Sequence, residues 1–346
     1  MVSRSAPRRR WLSVVIGSLL VLLAGGVLAA RAGAAVVDMR VMSFNIRTGN
    51  ADDGNNSWNH PSGGVDRKDL VVQTIKNYDP DILGLQEDQD YQANYIRTNT
   101  QLNGQNIYGM FRQGANANGS GEMVAILYKT SRFARVHEGT FWLSPNPNTA
   151  GSEFSGAEFP RIVNWLELRD KDNPGFNFVI MNTHWEHGGA EAKQEVRLKS
   201  AALMRNKMLE IAPDLPILFT GDFNADEGSD PYRRMTSRDD FVETPVDETR
   251  FLTDTYRNKH SDSATVGTAL GFDGVGTSGR IDWILHTDGG FDTIEANIDR
   301  SSFNGRYPSD HFPINAIIRP VLAPEPAGAA LFGAFGGPLL LARRRR

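Results

Sequence analysis

The sequence predicts an α/β fold, and three observations predict it. Across residues 38–320, short apolar runs of strand length alternate with a few segments of helical period. Polar residues recur just beyond those runs, where open α/β sheets place their ligands. The same span contains no linker, low-complexity run or internal repeat, so it reads as one domain. With 40% hydrophobic and 23% charged residues, the chain has ample material for a buried core.

Residues 41–44 read as a short strand that ends at Asn45. A loop over 49–64, rich in Gly, Asn and Asp, comes next and carries Trp58 and His60. Leu70, Val71 and Ile75 predict a helix over 66–77, stopped by Pro80. Residues 82–85 form the next strand, which delivers Gln86 and Glu87. Residues 123–128, introduced by Gly121 and Glu122, form another. Residues 141–144 and 161–168 read as strands around a loop with several Pro and Gly. The strand at 178–181 ends in Asn182, Thr183 and His184. The longest helix is expected over 190–211, where Leu198, Ala201, Met204, Met208 and Ile211 recur at steps of three or four. Residues 281–285 alternate like a half-buried strand, and 307–311 open the last one.

The stretch 217–224 organises the rest. Its apolar run reads as a buried strand broken by Gly221, after which Asp222 and Asn224 stand two residues apart. In an extended segment that spacing points both side chains the same way. A carboxylate able to orient or deprotonate water then stands beside an amide able to hold an oxyanion. A turn after a buried strand would also account for the pair on its own.

The chain has no cysteine, which excludes disulfides and thiolate metal sites. Its formal charge of −4 hides an asymmetry. Nine arginines and a single acid, Glu325, lie in residues 1–35 and 321–346, leaving 28 basic against 40 acidic residues in the body, a net of −12. Such a body counts against tight non-specific binding to a polyanion, although a bound cation would change the local field.

The ends read as addresses. Arg8, Arg9 and Arg10 precede an uncharged, apolar or small run over 11–30, and small residues over 30–35 offer cleavage sites. This basic, apolar, small order predicts a signal peptide over 1–35, with an uncleaved membrane anchor as the rival reading. At the other end, Pro324, Glu325 and Pro326 precede a small, apolar stretch over 327–342 and four arginines. That order resembles the bacterial PEP-CTERM sorting signal, against a frayed tail as the alternative. The resemblance implies an exported, extracellular or envelope-associated protein, transient anchoring by the C-terminal segment, and export machinery and an exosortase as processing partners.

Collected together, Asn45, Glu87, His184, Asp222, Asn224, Asp282, Asp310 and His311 have the parts for metal-assisted phosphoester hydrolysis. They offer oxygen ligands for a hard cation, two imidazoles for phosphate contact and proton transfer, and carboxylates to orient them. The His-x-x-x-His pattern or dense His cluster expected for zinc is missing. Singly, each has a plainer explanation: a turn former for Asn45, a solvated charge for Glu87, structural histidines for His184 and His311, an exposed strand residue for Asp282.

The segments Ser43-Phe44-Asn45, Leu85-Gln86-Glu87, Asn182-Thr183-His184, Gly221-Asp222-Phe223-Asn224, Arg280-Ile281-Asp282-Trp283-Ile284 and Ser309-Asp310-His311 resemble, in order, the motifs of the endonuclease/exonuclease/phosphatase (DNase I-like) superfamily. The resemblance implies a four-layer sandwich of two packed mixed β-sheets flanked by helices, spanning 36–320. It implies Mg²⁺, or Mn²⁺ in its place, bound chiefly by Glu87 with Asn45 near and Asp310 adjacent. Asp222 would orient or deprotonate the attacking water, and Asn224 would hold the scissile phosphate. His311 would contact that phosphate and move protons, with Asp282 fixing its tautomer. His184 would make a second phosphate contact, paired with Glu122, and Arg112 and Arg161 are further candidates for phosphate contact, with surface salt bridges as the alternative. The implied activity is a phosphodiesterase or nuclease. The alternatives are a phosphatase or phospholipase C-like enzyme acting on inositol phosphates or sphingomyelin-type lipids, and a catalytically silent surface-binding module. No obligate protein partner is evident.

One departure stands out. Where many members carry an aliphatic residue, Asp and His after the first histidine, this chain has Trp185, Glu186 and His187. Residues 53–58 together with 141–144 resemble a bacterial exported branch of the superfamily.

Overall fold

The central strands are buried on both faces, which is why their apolar runs are unbroken rather than alternating. The computed structural model describes residues 35–60, 64–236, 250–261, 266–275 and 279–322. Apart from Ala35, Val321 and Leu322, the expected export and sorting segments lie outside the described residues. In chain order the elements are β1 (Met39–Asn45), α1 (Arg67–Tyr78), β2 (Ile82–Gln86), α2 (Asp90–Asn99), β3 (Tyr108–Phe111), β4 (Ile126–Lys129), β5 (Phe133–Trp142), β6 (Ile162–Asp170) and β7 (Asn177–His184). They continue with α3 (Glu191–Ile211), β8 (Ile217–Asp222), α4 (Asp230–Thr236), β9 (Leu252–Asp254), α5 (Thr255–Lys259), β10 (Asp282–Thr287), β11 (Phe291–Ile298) and β12 (Ile314–Pro320).

Among the described residues the strands form two six-stranded sheets, β11-β12-β1-β2-β4-β3 and β5-β6-β7-β8-β10-β9. Both are mixed: β1 runs parallel to β2 and antiparallel to β12, while β7 runs parallel to β8 and β8 antiparallel to β10. Alternate residues of each central strand supply different layers. Val41, Ile82, Phe178, Ile180, Leu218 and Ile284 meet in the core between the sheets. Met42, Phe44, Leu83 and Leu85 face the other way, against Val71, Ile75 and Ile96 of α1 and α2. Val179, Met181, Phe219 and Leu285 pack against Ala201, Met204 and Met208 of α3. The result is the four-layer sandwich that the resemblance implied.

Several expected elements shift, for identifiable reasons. Gly221 does not break its strand. β8 runs through it to Asp222, and a Cβ there would stand 2.7 Å from the Thr183 carbonyl oxygen of parallel β7, so glycine permits the close approach. The strand expected at 281–285 is not half-buried: all of β10 is buried, Ile284 toward the inter-sheet core and Trp283 and Leu285 toward the α3 side. The strand expected at 123–128 begins only at Ile126, because Met123 makes isolated bridges to Asp88 and Gly114. β5 starts well before 141, at the buried Phe133, and runs through an exposed stretch in which Arg135, His137 and Glu138 mask the strand pattern. Of the unanticipated elements, α2 buries only Ala93 and Ile96 among its apolar residues, and β11 is interrupted by an irregularity between Thr293 and Glu295.

Toward one end, the dry core between the sheets gives way to a polar seam. Asn182 Oδ1 accepts from Gln86 Nε2 at 2.7 Å and from Thr220 Oγ1 at 3.0 Å. Its Nδ2 donates to the carbonyls of Leu85 and Ala125 at 2.7 and 3.0 Å. All four hydrogen-bonding positions of this buried amide are used, and they tie β7 and β8 to β2 and the start of β4. Gly84 makes room for the seam: a Cβ there would fall 2.2 Å from Thr220 Oγ1. Asn182→Ala is therefore expected to destabilise the fold by about 3 kcal/mol, because it strands several buried polar groups at once. A denaturant midpoint unchanged from the parent protein would contradict this role.

Candidate active site

Strand direction gathers the polar residues at the seam end. β1 and β2 are parallel and end together, with Asn45 opposite Gln86 and Glu87 just beyond. β12 runs against β1, so the residues that precede it, Asp310 and His311, return to the same end. In the other sheet His184, the last residue of β7, lies opposite Asp222 of β8, which lies opposite Asp282 at the start of β10. One level of each sheet thus presents its polar side chains to the other, and the two sets join across the gap.

Asp222 sits at that junction with 1% of its surface exposed. Its Oδ2 accepts from Asn45 Nδ2 at 2.9 Å and lies 3.5 Å from His184 Nε2 and 3.8 Å from His311 Nε2. Its Oδ1 accepts from the backbone N–H of Asn224 at 2.9 Å. That contact corrects the extended geometry expected for the pair. Asn224 is not in an extended segment: its φ is +48°, and an aspartate turn, not strand alternation, brings the two side chains together. Asn224 Nδ2 then reaches His184 Nε2 at 2.9 Å and the Trp185 carbonyl at 3.1 Å.

Two more site residues hold the left-handed backbone conformation that non-glycine residues rarely adopt, Glu87 at φ +58° and Arg47 at φ +56°. Such positions persist only where surrounding contacts over-determine them, and they cluster at functional sites. Glu87 Oε1 accepts from Asn45 Nδ2 at 3.1 Å and Oε2 from the Thr48 N–H at 3.1 Å. Arg47 is held by Asp53 through two 3.2 Å hydrogen bonds, and its guanidinium stands 3.7 Å from Glu87 Oε2 and 3.8 Å from Asp310 Oδ2. Beneath this loop the fully buried Arg67 donates to the carbonyls of Ile46, Arg47, Asn56 and Pro308, tying the segment after Asn45 to the one that leads into Asp310.

The second sheet's site residues are each anchored by a buried aromatic neighbour in the chain. Trp185, Phe223 and Trp283 come directly after His184, Asp222 and Asp282, and turn to the opposite face. Phe223 stacks on Trp283 with centroids 4.4 Å apart, and Trp185 meets Phe223 edge-on at 4.8 Å. Trp185, the departure from the commoner aliphatic residue, completes this buried aromatic cluster. Glu186 is buried as well, where it accepts from Lys193 Nζ at 2.7 Å and the Glu158 N–H at 3.1 Å. His187 is half exposed and lies at the mouth of the site.

Electrostatics prepare the two histidines differently. His311 Nδ1 is 2.9 Å from Asp282 Oδ2. Burial opposes its charge, but Asp282 and Asp222 more than offset that and raise the imidazole well above its ordinary range. His184 is also raised: burial opposes the charge, and Glu122, in a short hydrogen bond with Nδ1, overcomes it. Glu122 is in turn pulled down to about 2, against the effect of burial, by Arg161 and His184 together. Arg161 Nη1 donates to both Glu122 oxygens at 3.0 Å.

Glu87 and Asp310 offer carboxylate oxygens of the kind a hard divalent cation takes, and the Arg47 guanidinium stands 3.7 Å from the first and 3.8 Å from the second. Burial raises the Asp310 carboxyl, with the Glu87 charge adding to it and the positive charges of His311 and Arg47 opposing it. Asp222, Asp282 and His311 also place ligand atoms within 4.8 Å of one another, but both imidazole nitrogens already face carboxylates, and the protonated ring is itself the cation there. Glu158, Glu186 and His187 form a similar group, into which Lys193 inserts its ammonium, 2.7 Å from Glu186 and 3.6 Å from Glu158. Asn45 turns its NH₂ toward Glu87 and Asp222 and its carbonyl toward the Arg47 N–H at 2.9 Å, so here it ties the two carboxylates together.

A cavity of about 250 Å³ opens over this constellation, lined by Arg47, Glu87, Glu122, Phe159, Arg161, His184, His187, Asp222, Asn224 and His311. Asn45, Asp282 and Asp310 stand directly behind the lining residues they contact. Arg112 is not brought in. It pairs with Asp90 and lies 3.3 Å from Asn94 on α2, the surface salt bridge that was its alternative reading. Sequence reasoning missed Arg47, Arg67, Phe159 and His187. The signal for Arg47 lay in the sequence, two residues after Asn45 and six before its partner Asp53.

The sequence profile described as the Endonuclease/Exonuclease/phosphatase family matches residues 42–311. Among solved structures, a mannosyl-6-phosphatase from Bacteroides thetaiotaomicron is 29% identical, covers 81% of this chain and 99% of its own, and superposes with a TM-score of 0.67. An endonuclease/exonuclease/phosphatase from Bacteroides vulgatus is 28% identical over 82% of this chain and 99% of its own, with a TM-score of 0.68. The human Nocturnin catalytic domain, 19% identical over 81% of this chain and 94% of its own, shares the fold with a TM-score of 0.60. No curated protein matches the chain.

Proposed function

Since the chain belongs to the Endonuclease/Exonuclease/phosphatase family, a family of metal-dependent phosphoester hydrolases, we propose that its cavity hydrolyses a small phosphoester with Mg²⁺ held by Glu87 and Asp310. One observation carries this reading. A buried carboxylate oxygen of Asp222 stands within 3.8 Å of two histidines and of an amide that also binds Glu87, at the floor of a cavity walled by guanidinium groups.

Each residue's task is set by its contacts. Asp222 is the acceptor that orients the water and takes up its proton, and its fixed partners leave it little freedom to turn away. The Asn224 amide and the His184 edge border the same space, and a phosphoryl oxygen there would take the place of their 2.9 Å contact with each other. His311, kept protonated by Asp222 and Asp282, donates a hydrogen bond to the phosphoryl group and can pass a proton to the departing oxygen. Arg47 and Arg161 add positive charge from the cavity walls. A cation held by Glu87 and Asp310 would supply charge neutralisation on the phosphoryl oxygens. In balance, the water oxygen bonds to phosphorus, the ester P–O bond breaks, and the alcohol leaves with a proton.

The phosphodiesterase and nuclease readings belong to the same reaction class and are separated by a substrate panel. The relative at 29% identity is by its description a phosphatase for a sugar phosphate, which supports the small-ester side. The silent-module alternative loses support, since Glu87, Asp222 and His311 are all present and joined. Metal dependence has its own test. Mg²⁺ at a hundredfold excess over its Kd is expected to stabilise the protein by about 2.7 kcal/mol, and Glu87→Gln to remove most of that gain. A melting temperature indifferent to Mg²⁺ in the unmodified chain would contradict the cation site.

Export rests on the sequence of residues 1–35 and 321–346 alone. Among the described residues, no helix is long and apolar enough to cross a membrane. The intact mass of the mature protein tests processing: loss of both terminal segments is expected, and a full-length mass would overturn it.

A further inference from the structure

A second groove of about 470 Å³ adjoins the catalytic cavity, and the two share Glu122 and Phe159 as their common wall. Its other lining includes Thr48, Asn50, Ala115 and Asn116. Three properties of this groove bear on the leaving group of the substrate. It begins where the cavity ends, so the part of a substrate beyond the phosphoryl group has this space to enter. Its lining holds neutral amide and hydroxyl groups, with Asn50 and Asn116 exposed. Phe159 presents a ring that is 51% exposed despite lying beside the buried Arg161, with His187 stacked on it at a centroid distance of 6.1 Å.

Charge narrows the choice. None of the groove's lining residues is basic, and its one ionised group is Glu122, kept a carboxylate by Arg161 and His184. Arg161 and His184 are already committed to Glu122, so a further phosphate of a polynucleotide or an inositol polyphosphate would find no cation of its own in the groove's lining. An uncharged leaving group meets no such penalty. A sugar ring suits the remaining features: its C–H groups pack on the part of the Phe159 ring that His187 and Arg161 leave exposed, and its hydroxyls meet the amides and hydroxyl of Asn50, Asn116 and Thr48.

We propose that this groove seats the uncharged, polyhydroxylated ring of a sugar phosphomonoester, and that Phe159 is a specificity-determining residue for it. The assignment rests on the phosphoester hydrolase reading of the adjoining cavity. Hydrolysis then delivers the water-derived hydroxyl to phosphorus and a proton to the sugar oxygen, releasing free sugar and inorganic phosphate.

The test uses the full chain with Mg²⁺ and compares kcat/KM for a hexose 6-phosphate, a nucleoside 5′-monophosphate, an inositol trisphosphate and a short single-stranded DNA. Inorganic phosphate, which probes the catalytic cavity alone, serves as product inhibitor, and p-nitrophenyl phosphate checks the reaction itself. The hexose phosphate is expected to lead the panel. Phe159→Ala is expected to raise its KM about tenfold, more than it changes kcat, while the inhibition constant of inorganic phosphate stays put. Preference for DNA or the inositol trisphosphate would overturn the groove assignment, as would an unchanged hexose phosphate KM in Phe159→Ala. Preference for the nucleoside monophosphate would overturn the sugar ring. Failure on every ester, p-nitrophenyl phosphate included, would instead overturn the hydrolase reading beneath it.

Discussion

Replacing Asp222 by Asn is expected to lower turnover by about 10³-fold or more, the scale for removing a central proton acceptor and electrostatic group. The substitution keeps shape but reverses the hydrogen-bonding sense of one position. Asp222 now accepts from the Asn45 amide and the Asn224 backbone and faces both histidines. An amide there either sets a donor against Asn45 Nδ2 or turns its donor toward the Asn224 N–H, so one of these contacts is lost. It also takes away the charge that, with Asp282, keeps His311 protonated. Steady-state kinetics on the purified variant checks the expectation, with its thermal transition as the control for folding. A well-folded variant with near-normal kcat would remove Asp222 from the mechanism.

His311→Ala is expected to have an effect of similar size, about 10³-fold on kcat, because it removes both a phosphoryl contact and a proton donor. The cost is not limited to the ring. Asp282, buried and bonded to His311 through Oδ2, has its other oxygen without a partner, so the alanine variant leaves a buried carboxylate with almost nothing to offset it. A loss of stability is therefore expected alongside the loss of turnover. His311→Gln separates the two: its amide can still donate to Asp282 and restores stability, while turnover stays low because the proton function is gone. Recovery of full activity in His311→Gln would show that the residue only holds Asp282 in place.

The set of strand ends was legible in the sequence. Asn45, His184, Asp222 and Asp282 end or open strands, Glu87, Asn224, Asp310 and His311 lie within four residues of one, and strand direction carries the set to one end of the sandwich. Asp222 and Asn224 do meet, but a left-handed Asn224 does the work that strand alternation was expected to do. Arg112 and Arg161 looked alike as sequence, and only tertiary packing separates them: one pairs with a helix on the surface, the other is buried behind Glu122. Local pattern could not show Phe159, which lies in a loop and matters because two cavities meet at it. α2 escaped because its apolar content is small and its place is fixed by neighbours, and only the end of β5 was legible because charged residues fill its exposed middle. The seam built on Asn182 was visible as a motif but not as a cross-link, since its partners are far apart in sequence.

The central claim is that the Asp222 cluster hydrolyses phosphomonoesters with the help of a divalent cation. Phosphate release from p-nitrophenyl phosphate, measured after chelation and again after Mg²⁺ is restored, in the parent protein and in Asp222→Asn, tests it most directly. Release is expected to be abolished by chelation and restored by Mg²⁺ in the parent, and to stay about 10³-fold lower in the folded variant. Release that survives chelation, or that the variant matches, would contradict it.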